Sequence, residues 1–143
     1  MKNKTIKKAF AIGMSALMLA STFTPISAQA ASWKQNKTGW WWEEDNGSYP
    51  TNSWKNIGGT WYYFDGNGYM VTGWLKLSGG WYYLTGSGAM ATGWVQVGNT
   101  WYYMNESGVM QADTWIGDNY VDGSGAWIPG KTKTQTGWVK SGN

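Results

Sequence analysis

The sequence predicts an all-β protein, a solenoid of stacked β-hairpins, and three observations carry that prediction. The first is a period. Trp54, Trp74 and Trp94 stand 20 residues apart, as do Trp61, Trp81 and Trp101, Gly68, Gly88 and Gly108, and Met70, Met90 and Met110. A period held over three successive units marks a repeat that cannot bury its own apolar face and must stack on its neighbours. The second is local. Trp74-Leu75-Lys76-Leu77 and Trp81-Tyr82-Tyr83-Leu84 are short runs of β-favouring residues separated by Ser78-Gly79, where the flanking units carry Gly58-Gly59 and Gly98-Asn99. The third is that no segment combines helical periodicity with helix caps.

The elements follow in order. Lys2, Lys4, Lys7 and Lys8 precede an apolar run over residues 9–20, and a small-residue stretch ends Ala28-Gln29-Ala30. A basic start, a short apolar core and an A-x-A end make residues 1–30 a secretory signal peptide cleaved after Ala30. Twelve apolar residues are too few to span a bilayer, so no membrane span is expected after cleavage. Residues 31–127 hold the repeats. Trp33 and Trp40 repeat the seven-residue spacing of the later units, with Trp40-Trp41-Trp42 standing where Trp-Tyr-Tyr stands elsewhere. Three regular units follow. Trp115 opens a shortened fifth unit without a second Trp, in which Tyr120 takes the place of the second Tyr. Residues 128–143 are a loop followed by a sixth unit, opened by Trp138 and cut before its second strand.

Composition excludes several function classes. Among 143 residues there are 13 Trp, 9 Tyr and 21 Gly, but no Cys and no His. Without Cys there is no disulfide framework and no thiolate metal site. Without His the commonest general base and metal ligand are gone, so no catalytic residue, no metal and no cofactor is assigned. The formal charge of +3 hints at nucleic acid. After residue 30, however, seven Lys face eight Asp and Glu, a net of −1, and no Arg remains to read bases. Nucleic acid is therefore not an expected partner. The acidic run Glu43-Glu44-Asp45 alternates faces if extended and reads as a solvated turn, so no enzyme is expected.

A two-residue turn fixes the hairpin register and pairs Trp54 with Tyr63 and Asn56 with Trp61. Paired residues share a face, so Trp54, Trp61 and Tyr63 lie on one side. Lys55, Ile57, Tyr62 and Phe64 lie on the other, the predicted inner face. A second turn closes each unit, as in Asp65-Gly66-Asn67-Gly68. Its chemistry makes Asp65 a turn residue rather than a catalytic carboxylate. Two Trp and one Tyr per unit on one face form a large aromatic patch that needs a use. Rings meeting between units suit a quaternary ammonium, which makes no hydrogen bonds but is attracted to π faces.

The pattern running from Gly73 through Trp81-Tyr82-Tyr83, Gly88, Met90 and Thr92-Gly93 to Trp94 resembles the choline-binding repeats of bacterial autolysins and phage lysins. Thr38-Gly39-Trp40-Trp41-Trp42 and Asp45-Asn46-Gly47-Ser48-Tyr49-Pro50 resemble the first hairpins of an autolysin binding domain. The resemblance implies a left-handed solenoid. It also implies choline sites built from two Trp of one unit, a Tyr of the next and a nearby Met. Carried onto this chain, the boxes are Trp33, Trp40 and Tyr63 with Met70; Trp54, Trp61 and Tyr83 with Met90; and Trp74, Trp81 and Tyr103 with Met110. A fourth is Trp94 and Trp101 with Tyr120, where Trp127 replaces the Met. The choice of the second Tyr rests on the face argument. The expected function is a secreted, cell-wall-associated, non-catalytic module that binds choline on teichoic acids. The alternative is a glucan-binding repeat module, since Trp faces also stack on sugars. An exposed solenoid end is where a homodimer would form.

Overall fold

A computed structural model describes residues 29–133. All but the last two residues of the expected signal peptide, and the sixth unit expected from Trp138, lie outside the described residues. The described residues contain no helix and eleven strands. β1 (Ser32–Gln35) pairs with β2 (Trp40–Glu43), β3 (Ser53–Ile57) with β4 (Thr60–Phe64), β5 (Gly73–Leu77) with β6 (Gly80–Leu84), and β7 (Gly93–Val97) with β8 (Thr100–Met104). A last sheet holds β9 (Thr114–Ile116), β10 (Asn119–Val121) and β11 (Trp127–Ile128), with β10 in the middle. All pairs are antiparallel hairpins in chain order.

The register is the expected one: Trp54 lies opposite Tyr63 and Asn56 opposite Trp61, and the next two hairpins repeat it. The turns inside the hairpins differ from expectation in one place. Gly58 and Gly59 have φ of +61° and +89°, and Gly98 has +63°, as primed turns require. Ser78-Gly79 has no positive φ; instead Gly80, the next residue, sits at +134°. Ser78 carries a Cβ, which makes left-handed backbone costly. The bend is therefore passed to Gly80, a position held by Thr60 and Thr100 in the other units.

The turn that closes each unit repeats the same backbone bonds in all five described units, and an Asp or Asn side chain caps it in three. In the second unit Asp65 Oδ1 accepts the N–H groups of Asn67 and Tyr69 at 2.8 and 2.9 Å, and the Gly68 N–H donates to the Asp65 carbonyl at 3.0 Å. Asn105 does the same for Ser107 and Val109, and Asp122 for Ser124 and Ala126. The Ser124 hydroxyl and N–H hold Asp122 below the usual carboxylate range, against a small opposing effect of burial. Asp65 is thus a turn-capping residue, as its chemistry predicts.

The apolar core is thin. Phe64, Leu84, Met104 and Val121 are fully buried, one per unit, each at the end of a hairpin's second strand. They lie on the face predicted to be the inner one. In the first unit this position is Glu43, whose carboxylate lies 3.7 Å from Lys34. With so little core, cohesion rests on contacts between units. The Met70, Met90 and Met110 N–H groups donate to the carbonyls of Trp40, Trp61 and Trp81 in the preceding hairpin, at 2.7 to 2.8 Å. Each of these Met side chains also lies against the glycine of the following turn. A Cβ on Gly108, at φ +79°, would stand 2.5 Å from Met90 Sδ. That position therefore needs glycine twice, for its backbone and for its space.

Candidate functional site

Three concavities recur with the period of the repeat. One, of about 340 Å³, is lined by Trp33, Trp40, Tyr62 and Met70. The next, of about 430 Å³, is lined by Trp54, Trp61, Tyr82 and Met90. The third, of about 400 Å³, is lined by Trp74, Trp81, Tyr102 and Met110. In each, the two Trp come from one hairpin and the Tyr from the next. The Trp–Tyr ring centroids lie 4.9, 5.1 and 4.8 Å apart, with the planes steeply inclined. Inclined rings make walls rather than a stack. The second Trp of each pair keeps its face open to solvent: Trp40, Trp61 and Trp81 are 41 to 45% exposed. The closing turn of the unit after next completes the rim, with Ser87, with Glu106 and Ser107, and with Ser124 respectively.

The Trp and Met residues expected in each box are brought together, but the tyrosines are not those expected. Tyr63, Tyr83 and Tyr103 do not line these concavities; they pack on Trp54, Trp74 and Trp94 of their own hairpins at 5.2 Å. The cause is how the hairpins stack. The Trp-bearing face of one hairpin meets the opposite face of the next. The residue reaching the ligand space is then the first Tyr of Trp-Tyr-Tyr, which lies across the sheet from the second. Sequence reasoning found both faces but assumed that one face supplied every ring. The turn residues at the rim carried no sequence signal, because a turn explanation already accounted for them.

The fourth concavity, about 330 Å³, is lined by Trp94, Trp101, Asn119 and Trp127. Trp127 stands in the Met place, as expected. Tyr120 does not reach it. Its ring packs on Trp115 at 5.2 Å, and Lys131 Nζ stands 3.2 Å from its centroid. Asn119 takes the position that Tyr62, Tyr82 and Tyr102 hold in the other units.

The three full cages are walled by apolar rings and a thioether. A group held there must bring its own charge compensation or none, and π faces favour a cation that does not need hydrogen bonds. Glu106 gives the Trp54 cage a carboxylate that the Trp33 and Trp74 cages lack. The remaining acidic run is engaged at the junction of the first two units. Glu44 pairs with Lys55 at 2.5 Å and accepts the Trp42 Nε1–H at 3.2 Å. The Lys55 ammonium, helped by Trp42 and opposed by partial burial, holds Glu44 below the usual carboxylate range.

Two family models match the chain, one described as choline-binding repeat over residues 51–92 and one as cell wall binding repeat over residues 92–110. Among solved structures, choline binding protein F of Streptococcus pneumoniae is 39% identical with a TM-score of 0.66, over 69% of this chain and 34% of that one. The pneumococcal cell wall endolysin of phage Cp-1, solved with choline, is 46% identical with a TM-score of 0.60, over 72% of this chain and 32% of that one. The choline binding domain of Spr1274 from Streptococcus pneumoniae is 42% identical with a TM-score of 0.52, over 55% of this chain and 96% of that domain. The chain thus spans about a third of the length of the first two and nearly all of the third.

Proposed function

The chain belongs to the choline-binding repeat family, and on that premise we propose that it is a secreted, non-catalytic module that holds bacterial cell-wall teichoic acid by its choline groups. The observation that carries this reading is the threefold recurrence of a cage made of two Trp, the first Tyr of the next unit and a Met. Each ring attracts a quaternary ammonium by about 0.5–2 kcal/mol. Three rings, less the cost of immobilising the ligand, leave roughly −4 kcal/mol, a millimolar site. Sites of that strength are poor receptors for free choline. Several of them in register hold a polymer bearing many cholines far more tightly, because the second and third contacts are intramolecular. Residues 1–30 direct export, and the wall is the destination.

The test is a choline titration followed by tryptophan fluorescence and by the indole N–H signals of Trp40, Trp61 and Trp81. Saturable shifts in the millimolar range, reproduced by tetramethylammonium but not by the uncharged carbon analogue of choline, support the reading. No response to choline, together with retention on a glucan column, overturns it. Release of sugar or peptide from purified walls would overturn its non-catalytic part.

A further inference from the structure

A fifth concavity, of about 270 Å³, lies in the first two units and is lined by Asn36, Trp41, Glu43, Tyr49, Asn67 and Tyr69. By position it is a cage with one wall replaced. Trp41 stands where Tyr62 stands in the Trp33 cage, Tyr49 where Met70 stands, and Asn67 where Ser87 stands. No Trp pair of a preceding hairpin lines it; Tyr69, Asn36 and Glu43 border the space instead. Trp41 and Tyr69 meet at 6.3 Å with their planes at 89°, and Tyr49 is 53% exposed, the most open large apolar side chain among the described residues.

The lining chemistry differs in kind from that of the cation cages. Two amides and two phenol hydroxyls lie among the rings, and the one carboxylate, Glu43, stands beside Lys34. A quaternary ammonium makes no hydrogen bonds, so covering the amides and phenol hydroxyls with one would desolvate them without return. A ligand suited to this lining has an apolar face for the rings and hydroxyls around its rim. We propose that this concavity is a second binding site, for a single neutral pyranose ring of a glycan, independent of the cation cages. The aromatic wall supplies the stacking surface for the axial C–H face of the sugar. The polar groups retain capacity for its hydroxyls. Asn36 Oδ1 is used within the fold, accepting the Thr38 and Gly39 N–H groups, and Nδ2 donates one hydrogen to the Tyr69 hydroxyl at 3.0 Å. The second Nδ2 hydrogen and the Tyr69 hydroxyl hydrogen are left to give. The Asn67 side-chain amide stands exposed at the rim, with donor and acceptor both available. A few convergent polar groups on an aromatic concavity are the usual make-up of a small-ligand site.

The test uses the full chain labelled for indole N–H detection and titrated with N-acetylglucosamine and, separately, with methyl glucoside, at saturating choline chloride. The Trp41 signal is expected to shift saturably with at least one of the two sugars, while Trp61 and Trp81 stay where choline has put them. Whichever sugar acts identifies an amino-sugar glycan or a glucan as the source. Asn67→Ala is expected to weaken the sugar response about three- to tenfold, the loss of one neutral hydrogen bond. Tyr49→Ala is expected to weaken it as strongly, and both variants should leave the Trp61 and Trp81 choline shifts unchanged. Three results each overturn the proposal: no Trp41 shift with either sugar; a Trp41 shift produced by choline and competing with the sugar, which makes the site one more cation cage; or an unaltered sugar response in both variants. Loss of the choline shifts with the Trp41 sugar response intact would remove the wall-choline reading and leave this one standing.

Discussion

The three inner cages and the two concavities at the ends of the described residues are made from the same repeat, yet only the inner ones come out alike. An inner cage draws its Trp pair from one unit, its Tyr and Met from the next, and its rim from the turn after that. At the C-terminal end of the described residues, Trp94 and Trp101 meet Asn119 and Trp127, and no turn of a further described unit lies on the rim. At the N-terminal end, Trp41, Tyr49 and Asn67 are in place without a Trp pair before them. A repeat position therefore does not define a site. Its neighbours on both sides do, and where one is lacking the same positions carry different residues.

The strongest way to break the contrast is to jam a joint between inner units. Gly108→Ala forces a Cβ against Met90 Sδ at a positive φ, and should cost about 2–4 kcal/mol of unfolding free energy. Gly58→Ala, whose Cβ would meet nothing within 4 Å, carries backbone strain alone and should cost about 1 kcal/mol. Denaturant midpoints compare the two; equal losses would mean that the Met–Gly seat does not hold the units together.

Within an intact fold, the two tyrosines of one unit separate the cage from its support. Tyr82→Ala should weaken choline in the Trp54 cage about 2- to 30-fold, the worth of one ring. Tyr83→Ala should leave that cage unchanged, because Tyr83 packs on Trp74 of its own hairpin. The Trp61 indole signal reads this directly, and the opposite ranking would restore the second Tyr to the site.

The contrast can also be reduced. Asn119→Tyr puts the missing ring into the fourth concavity and should raise choline affinity there a few-fold, read at Trp101. No change would show that the turn of a third unit, rather than the ring, is what an end site lacks.

The smallest effect concerns the junction of the first two units. Glu44 is held below its ordinary value of 4.5 by Lys55, so its ion pair stabilises the fold above that pH. The contribution is lost as pH falls through the lowered value. The Trp42 indole signal, hydrogen-bonded to Glu44, should report that titration, and Lys55→Met should bring its midpoint back toward 4.5.

The period, the hairpin register and the role of Asp65 were legible in the sequence, because each is set by residues close together in the chain. Trp54 can only face Tyr63 once a two-residue turn follows Ile57. What was not legible depends on how one hairpin is laid on the next. Tyr62, Tyr82 and Tyr102 line the cages because unlike faces of successive hairpins meet, and no spacing within a unit encodes that choice. The turn at Ser78-Gly79 failed for a local reason: two adjacent glycines follow Ser78, and the bend settled on the second, Gly80, which a pattern of turn residues does not distinguish. Asn119 was passed over because Tyr120 beside it continued the aromatic pattern.

Because each inner cage spans three units, the number of whole sites lags the number of units by two: the five hairpins described here close three complete cages. Valency and length are then offset rather than proportional. A pair of units holds no complete site, and the third creates the first. From there, every duplication inside the array adds one whole site, whereas deletion of the first or the last of these five units removes one and leaves its neighbour incomplete in turn. Since grip on a polymer multiplies with the number of sites engaged, a one-unit change in length would alter the hold on a polymer that fills the cages by a whole binding constant, without altering a single contact in the cages that remain.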